Sequence, residues 1–236
     1  MMHMNKYLVI DSRMSEESKN KLILMRYHLI EIPEIACLEK PISAHPDMSV
    51  LSTKERLFVS SDVYRLFTFT DAFEVERNHF YVDLLEYPLN ISLNCAVVGK
   101  NIICNEKYTC KTVLEILKKL DYKIINVNQG YAKCSTCIVS DNAIITEDES
   151  IATECSKVGI DVLKISKGHV KLNGYDYGFI GGCSGLIESD LLVFNGCIEK
   201  HPDYKYIYDF CKKHGVCVLS LNNEPLYDVG SIVRIH

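Results

Sequence analysis

An internal repeat limits how this chain can fold more than any other feature of its sequence. Cys134-Ser-Thr-Cys-Ile-Val-Ser-Asp141 aligns with Cys183-Ser-Gly-Leu-Ile-Glu-Ser-Asp190. Each is followed by an apolar run, Ala143-Ile-Ile145 and Leu191-Leu-Val-Phe194. Two short apolar runs joined at Ser-Asp predict a β-hairpin. The same shape occurs at Asn94-Cys-Ala-Val-Val98, where Gly99 and Asn101 flank the turn before Ile102-Ile-Cys104. An earlier copy runs from Asp47-Met-Ser-Val-Leu51 to Arg56-Leu-Phe-Val59. A half copy, Asp228 to Ile235, ends the chain, and its expected partner is Tyr7 to Ile10 at the start.

The segments after the hairpins repeat as well. Helical patterns are predicted at Glu16 to Arg26, Thr109 to Leu120, Glu149 to Lys157 and Asp203 to His214. Ser15 is a plausible N-cap, and Gly159 and Gly215 are stop signals. Strand-like runs come next, such as His28 to Ile32, Lys123 to Val127 and Ile160 to Ile165. The unit is therefore strand, strand, helix, strand. Its aligned points fall near Pro46, Leu93, Cys134, Cys183 and Asp228, about 41 to 49 residues apart. A unit of this size cannot bury its apolar face alone, so neighbouring units must stack. The expected fold is α/β: five ββαβ units in one domain spanning 1–236, closed by pairing of the terminal strands. Closure would remove an exposed sheet edge. Residues 62–89 break the pattern and read as an insertion or a partner surface.

Composition excludes several classes. A net charge of −5 argues against nucleic acid as the partner, because phosphate binding needs concentrated basic surface. No run approaches the length of a membrane span, and Tyr7 to Ile10 is too short for a signal core. A cytoplasmic location is expected. Eleven cysteines at scattered spacing then read as reduced thiols packed as small hydrophobes. Cys134 and Cys137 form a CxxC, but on a strand they would face opposite ways, so no metal is expected there. No cofactor is expected either.

The repeat order, together with His45-Pro-Asp47, resembles the pentein superfamily of guanidino-group-modifying enzymes. Five ββαβ units closed around a pseudo-fivefold axis, an α/β propeller, are that family's plan. It includes deiminases, dimethylarginine hydrolases, amidinotransferases and a noncatalytic ribosome anti-association factor. The resemblance implies a central pocket lined by the starts of the first strands. There a cysteine attacks a guanidinium carbon, a histidine handles protons and carboxylates hold the cation.

By the repeat alignment those strand starts bring His45 and Asp47, Asn94 and Cys95, Lys133, Cys134 and Ser135, Gly182, Cys183 and Ser184, and Tyr227, Asp228 and Ser231 to the axis. Cys183 is the candidate nucleophile, with His45 and Asp47 as its catalytic partners. Asp228, Asn94, Lys133, Cys134 and Ser184 are candidate binding residues for a small cationic ligand. Each also has a plainer reading as a buried thiol or a strand-start cap. The family's nucleophile lies in the last unit, where this chain has Asp228 instead. A noncatalytic binding protein on the same scaffold is the alternative.

Overall fold

A computed structural model describes residues 6–67, 81–82 and 87–235. The chain opens with β1 (Lys6–Asp11), helix α1 (Glu16–Leu24) and β2 (Tyr27–Ile32). A single helical turn, α2 (Pro46–Ser49), leads into β3 (Val50–Ser52), β4 (Leu57–Ser60) and β5 (Tyr81–Val82). Next come β6 (Ala96–Val98), β7 (Asn101–Cys104), α3 (Lys111–Lys119) and β8 (Lys123–Asn126). They are followed by β9 (Cys137–Ser140), β10 (Ala143–Thr146), α4 (Glu149–Lys157) and β11 (Asp161–Lys164). The last elements are β12 (Ser184–Glu188), β13 (Leu191–Phe194), α5 (Tyr204–Lys213), β14 (Cys217–Ser220) and β15 (Val233–Arg234).

These strands form five small sheets of three strands each: β15-β1-β2, β3-β4-β5, β6-β7-β8, β9-β10-β11 and β12-β13-β14. All five share one pattern, an antiparallel first pair and a parallel second pair. The expected pairing of the termini is present: Leu8 faces Arg234 and Val9 faces Val233. The first strands of successive sheets touch, with β9 between β6 and β12, and β15 between β12 and β3.

The helices form where the sequence patterns place them. Ser15 caps α1 by accepting from the Ser18 amide, and Asp148 caps α4 by accepting from the Ile151 amide. Each such cap is worth about 1 kcal/mol. α3 buries Val113, Leu114 and Leu117 against Ile102, Cys104 and Tyr122 of its own unit. Full burial of one such side chain contributes roughly 1.5–3 kcal/mol. After the helices the chain turns through a left-handed residue: Arg26, Asp121, Gly159 and Gly215, with φ of 67°, 62°, 84° and 72°. Glycine accepts this conformation without strain, whereas arginine and aspartate do not.

The strands are shorter than the sequence patterns suggest. Asp47 and Asp228 do not begin strands, because β3 starts at Val50 and β15 at Val233. Pro46 starts the helical turn α2, where its missing N–H costs nothing. Gly230 and Ser231, at φ 65° and 71°, break the extension before β15. Within 62–89, residues 68–80 and 83–86 lie outside the described residues, so the expected insertion is only partly described. β5 supplies the third strand of that unit. No described helix is long and apolar enough to cross a membrane.

Candidate functional site

The residues that converge sit in turns just before the first strands. Cys134 lies in a turn closed by the Ser135 amide on the Tyr131 carbonyl and the Thr136 amide on the Lys133 carbonyl, each at 3.0 Å. Asp228 accepts from the amides of Phe179 and Gly230, both at 2.9 Å. Two glycines make room for this packing. A Cβ at Gly182 would fall 2.1 Å from Asp228 Oδ1, and one at Gly230 would fall 2.1 Å from His45 Cβ. Gly230 is also left-handed, so both its φ and its surroundings demand glycine.

The centre of the cluster is Asp47. Its Oδ2 accepts from the Cys134 thiol at 2.9 Å and lies 2.8 Å from the Ser231 hydroxyl. That hydroxyl also lies 3.0 Å from the Gly181 carbonyl and accepts from Lys133 Nζ at 2.9 Å. Asn94 bridges the units: its Nδ2 donates to the Asp47 carbonyl at 3.2 Å, while its Oδ1 accepts from the Lys133 amide at 2.7 Å. Asp47, Asn94, Cys134 and Ser231 are all nearly inaccessible to solvent.

His45 stands apart from this network. It is 1% exposed, yet neither ring nitrogen has a hydrogen-bond partner among the described residues. Its Nδ1 is 3.8 Å from Asp228 Oδ1, and its Nε2 is 4.0 Å from Asp11 Oδ2. Asp11 is held from behind by Arg13, whose Nε and Nη2 reach the two carboxylate oxygens at 3.0 and 2.7 Å. Burial pulls His45 down to about 4, against a smaller upward pull from Asp47, so the imidazole is neutral at neutral pH. Burial pushes Asp228 up to about 7, with the charge of Asp47 acting in the same direction. It also pushes the Cys134 thiol well above its ordinary value, reinforced by Asp47 and Asp228.

His45, Cys134 and Asp228 face a cavity of about 240 Å³. Its walls are apolar and aromatic: Ile42, Leu172, Tyr131, Tyr175, Tyr177 and Phe179. Asp176 also lines it, and no lysine or arginine among the described residues does. A second cavity, of about 530 Å³, is lined by residues of β3, β6, β9, β12 and β15, together with Lys133.

The structure thus gathers His45, Asp47, Asn94, Lys133, Cys134, Asp228 and Ser231. It places two candidates elsewhere. Cys183 is fully buried among Cys137, Val139, Ile180 and Leu192, and its thiol points to the Ile180 carbonyl at 3.3 Å. Ser184 donates to the Gly181 carbonyl and lines the second cavity. Cys134 is in a turn rather than on a strand, and Cys137 is a core residue. Sequence reasoning missed the aromatic wall and Asp11 with Arg13. The run Tyr175-Asp-Tyr-Gly-Phe179 was the available signal for the wall, since aromatics interleaved with an acid suit a cation.

No curated protein matches this chain. One solved structure similar to it is SxtG, an amidinotransferase from Microseira wollei in the saxitoxin biosynthetic pathway. The likeness has a TM-score of 0.52 at 9% identity and covers 92% of this chain and 88% of that one. At that identity it speaks for the fold: a mixed α/β chain of small sheets similar to an amidinotransferase. Over residues 9–233 the sequence matches a family of unknown function, DUF6873, and the chain belongs to that family.

Proposed function

We propose that the five sheets close about a pseudo-fivefold axis as a single pentein-like propeller, and that the aromatic cavity binds a small guanidino or amidino cation for attack by Cys134. Contacts among the first strands, the β1–β15 pairing and a cavity lined by all five first strands support the ring. One observation carries the chemistry. A thiol, an unpartnered imidazole and a carboxylate from three different units face one aromatic cavity. Aromatic faces and Asp228 suit a delocalised cation.

The resting thiol is protonated, as its hydrogen bond to Asp47 requires. A cation seated in the cavity beside Asp228 offsets the charges that hold it so. As Sγ bonds to the central carbon, the thiol proton moves to His45. It is returned to the departing amine as the C–N bond breaks. Water then adds to the S-linked carbon, the S–C bond breaks, and a proton from that water restores the thiol. The products are a urea or amide and an ammonium ion. Cys134 replaces Cys183 as the nucleophile in this reading because Cys183 does not reach the cavity.

The experiment is stoichiometric labelling with 2-chloroacetamidine, followed by peptide mass spectrometry. One label on Cys134 is expected, lost in Cys134→Ala and kept in Cys183→Ala. Labelling of Cys183, or of exposed Cys37 alone, would sink the proposal. The high resting position of the thiol favours a second reading, a noncatalytic binder of the same cations. In that case an amidine raises the melting temperature but leaves Cys134 unlabelled.

A further inference from the structure

We infer that His45, Cys134 and Asp228 form a binding site for one divalent transition-metal ion, Zn²⁺ being the best match. The inference goes beyond the amidine reading and does not depend on it. One donor atom from each residue lies within 4.8 Å of the others, and all three residues are buried. A tetrahedral zinc with bonds of about 2.0–2.3 Å separates its ligand atoms by about 3.3–3.8 Å. The His45 Nδ1 to Asp228 Oδ1 distance is already 3.8 Å. The Cys134 sulfur lies within 4.8 Å of the other donors, so it must close by at most about 1–1.5 Å to reach that spacing.

The independent observation is the histidine. Both ring nitrogens of His45 are buried without a partner among the described residues. A buried imidazole with two orphaned nitrogens is costly, and an ion is one of the standard resolutions of such a group. The surroundings hold the ring in place. Gly230 packs against its Cβ, and Asp11 stands 4.0 Å from Nε2, where a small movement would let that nitrogen donate to the carboxylate while Nδ1 meets the metal. Thiolate, imidazole and carboxylate together are a borderline-soft set that suits Zn²⁺ and Co²⁺ over Mg²⁺ or Ca²⁺. Three protein ligands leave a fourth position open toward the aromatic cavity. On binding, the S–H bond of Cys134 breaks, the metal–sulfur bond forms and the proton goes to solvent. The metal and an alkylating amidine therefore compete for the same sulfur.

The test is titration of the metal-free, full-length chain with Co²⁺, following the thiolate-to-cobalt charge-transfer absorption, and then displacement by Zn²⁺. One ion per chain is expected. The band should vanish in Cys134→Ser, with apparent affinity at least about 100-fold weaker, and persist in Cys37→Ser. Should Cys134→Ser fold poorly, the unmodified chain still decides: one equivalent of Zn²⁺ must protect Cys134, but not Cys37, from alkylation. A cobalt band that survives Cys134→Ser, or a Cys134 alkylated equally with and without Zn²⁺, overturns the inference. Failure of amidine labelling leaves the cobalt band untouched, so the two readings fail separately.

Discussion

The Cys134 thiol donates to Asp47 Oδ2 at 2.9 Å, joining the turn before β9 to the helical turn before β3. The contact needs the sulfur protonated, and burial with two nearby carboxylates enforces it. Asp47→Asn removes one of those charges. A pKa change of one unit corresponds to about 1.4 kcal/mol and a tenfold change in thiolate population. The variant should therefore react with neutral iodoacetamide about tenfold faster at Cys134. A rate equal to or below that of the parent chain would show that Asp47 does not govern the thiol.

Gly182 and Asp228 are packed so closely that no side chain fits between them. A Cβ at Gly182 would meet Asp228 Oδ1 at 2.1 Å, and that carboxylate is fixed by two amides. Gly182→Ala must therefore displace Asp228, at a cost of about 1–3 kcal/mol. Labelling of Cys134 by 2-chloroacetamidine should fall at least about tenfold, while iodoacetamide labelling of exposed Cys37 stays unchanged. Equal amidine labelling would mean that Asp228 does not hold the cation.

The repeat was legible in the sequence because hairpin turns, helix periods and stop signals recur at one spacing. Ser15 at the N-cap, Gly159 at the stop and the pairing of Tyr7–Ile10 with the last strand all follow from local chemistry. The site was half legible. His45, Asp47, Cys134 and Asp228 align as equivalent points of the repeat, so their convergence could be expected. Whether Cys134 or Cys183 faces the cavity could not be read, since both occupy the same position of the repeat. The choice is made by packing: Cys183 is enclosed by Val139, Ile180 and Leu192, whereas Cys134 borders Tyr131 and Asp228. The aromatic wall was hidden because Tyr175 to Phe179 lies in a loop with no repeat partner.

Asp121 follows α3 with φ of 62°, where the equivalent residues Gly159 and Gly215 are glycines. It is exposed and takes no part in the core. A left-handed conformation costs a non-glycine residue about 1–2 kcal/mol, partly offset by glycine's greater freedom when unfolded. Asp121→Gly should therefore stabilise the chain by about 1 kcal/mol in urea unfolding. A lower unfolding midpoint would contradict the equivalence of the repeats at this position.

Glu147, just after β10, is partly buried, and its Oε1 has no hydrogen-bond partner among the described residues. Burial pushes its carboxyl up to about 8, the Ile180 amide opposes the shift, and the charges of Asp228 and Asp148 add to it. The folded chain thus holds this proton more tightly than the unfolded chain, whose carboxyl titrates near 4.5. The resulting stability is complete below about pH 4.5 and drains away as pH rises through 8. At about 1.4 kcal/mol per unit, the loss amounts to a few kcal/mol. Glu147→Gln keeps the shape without the charge. Its advantage over the parent chain should be small at about pH 5 and grow steadily toward about pH 8.5 in thermal melts run in parallel. Asp228 titrates within the same window in both chains, so most of its own contribution cancels in the difference between them. A difference that stays constant with pH would place the Glu147 carboxylate in water.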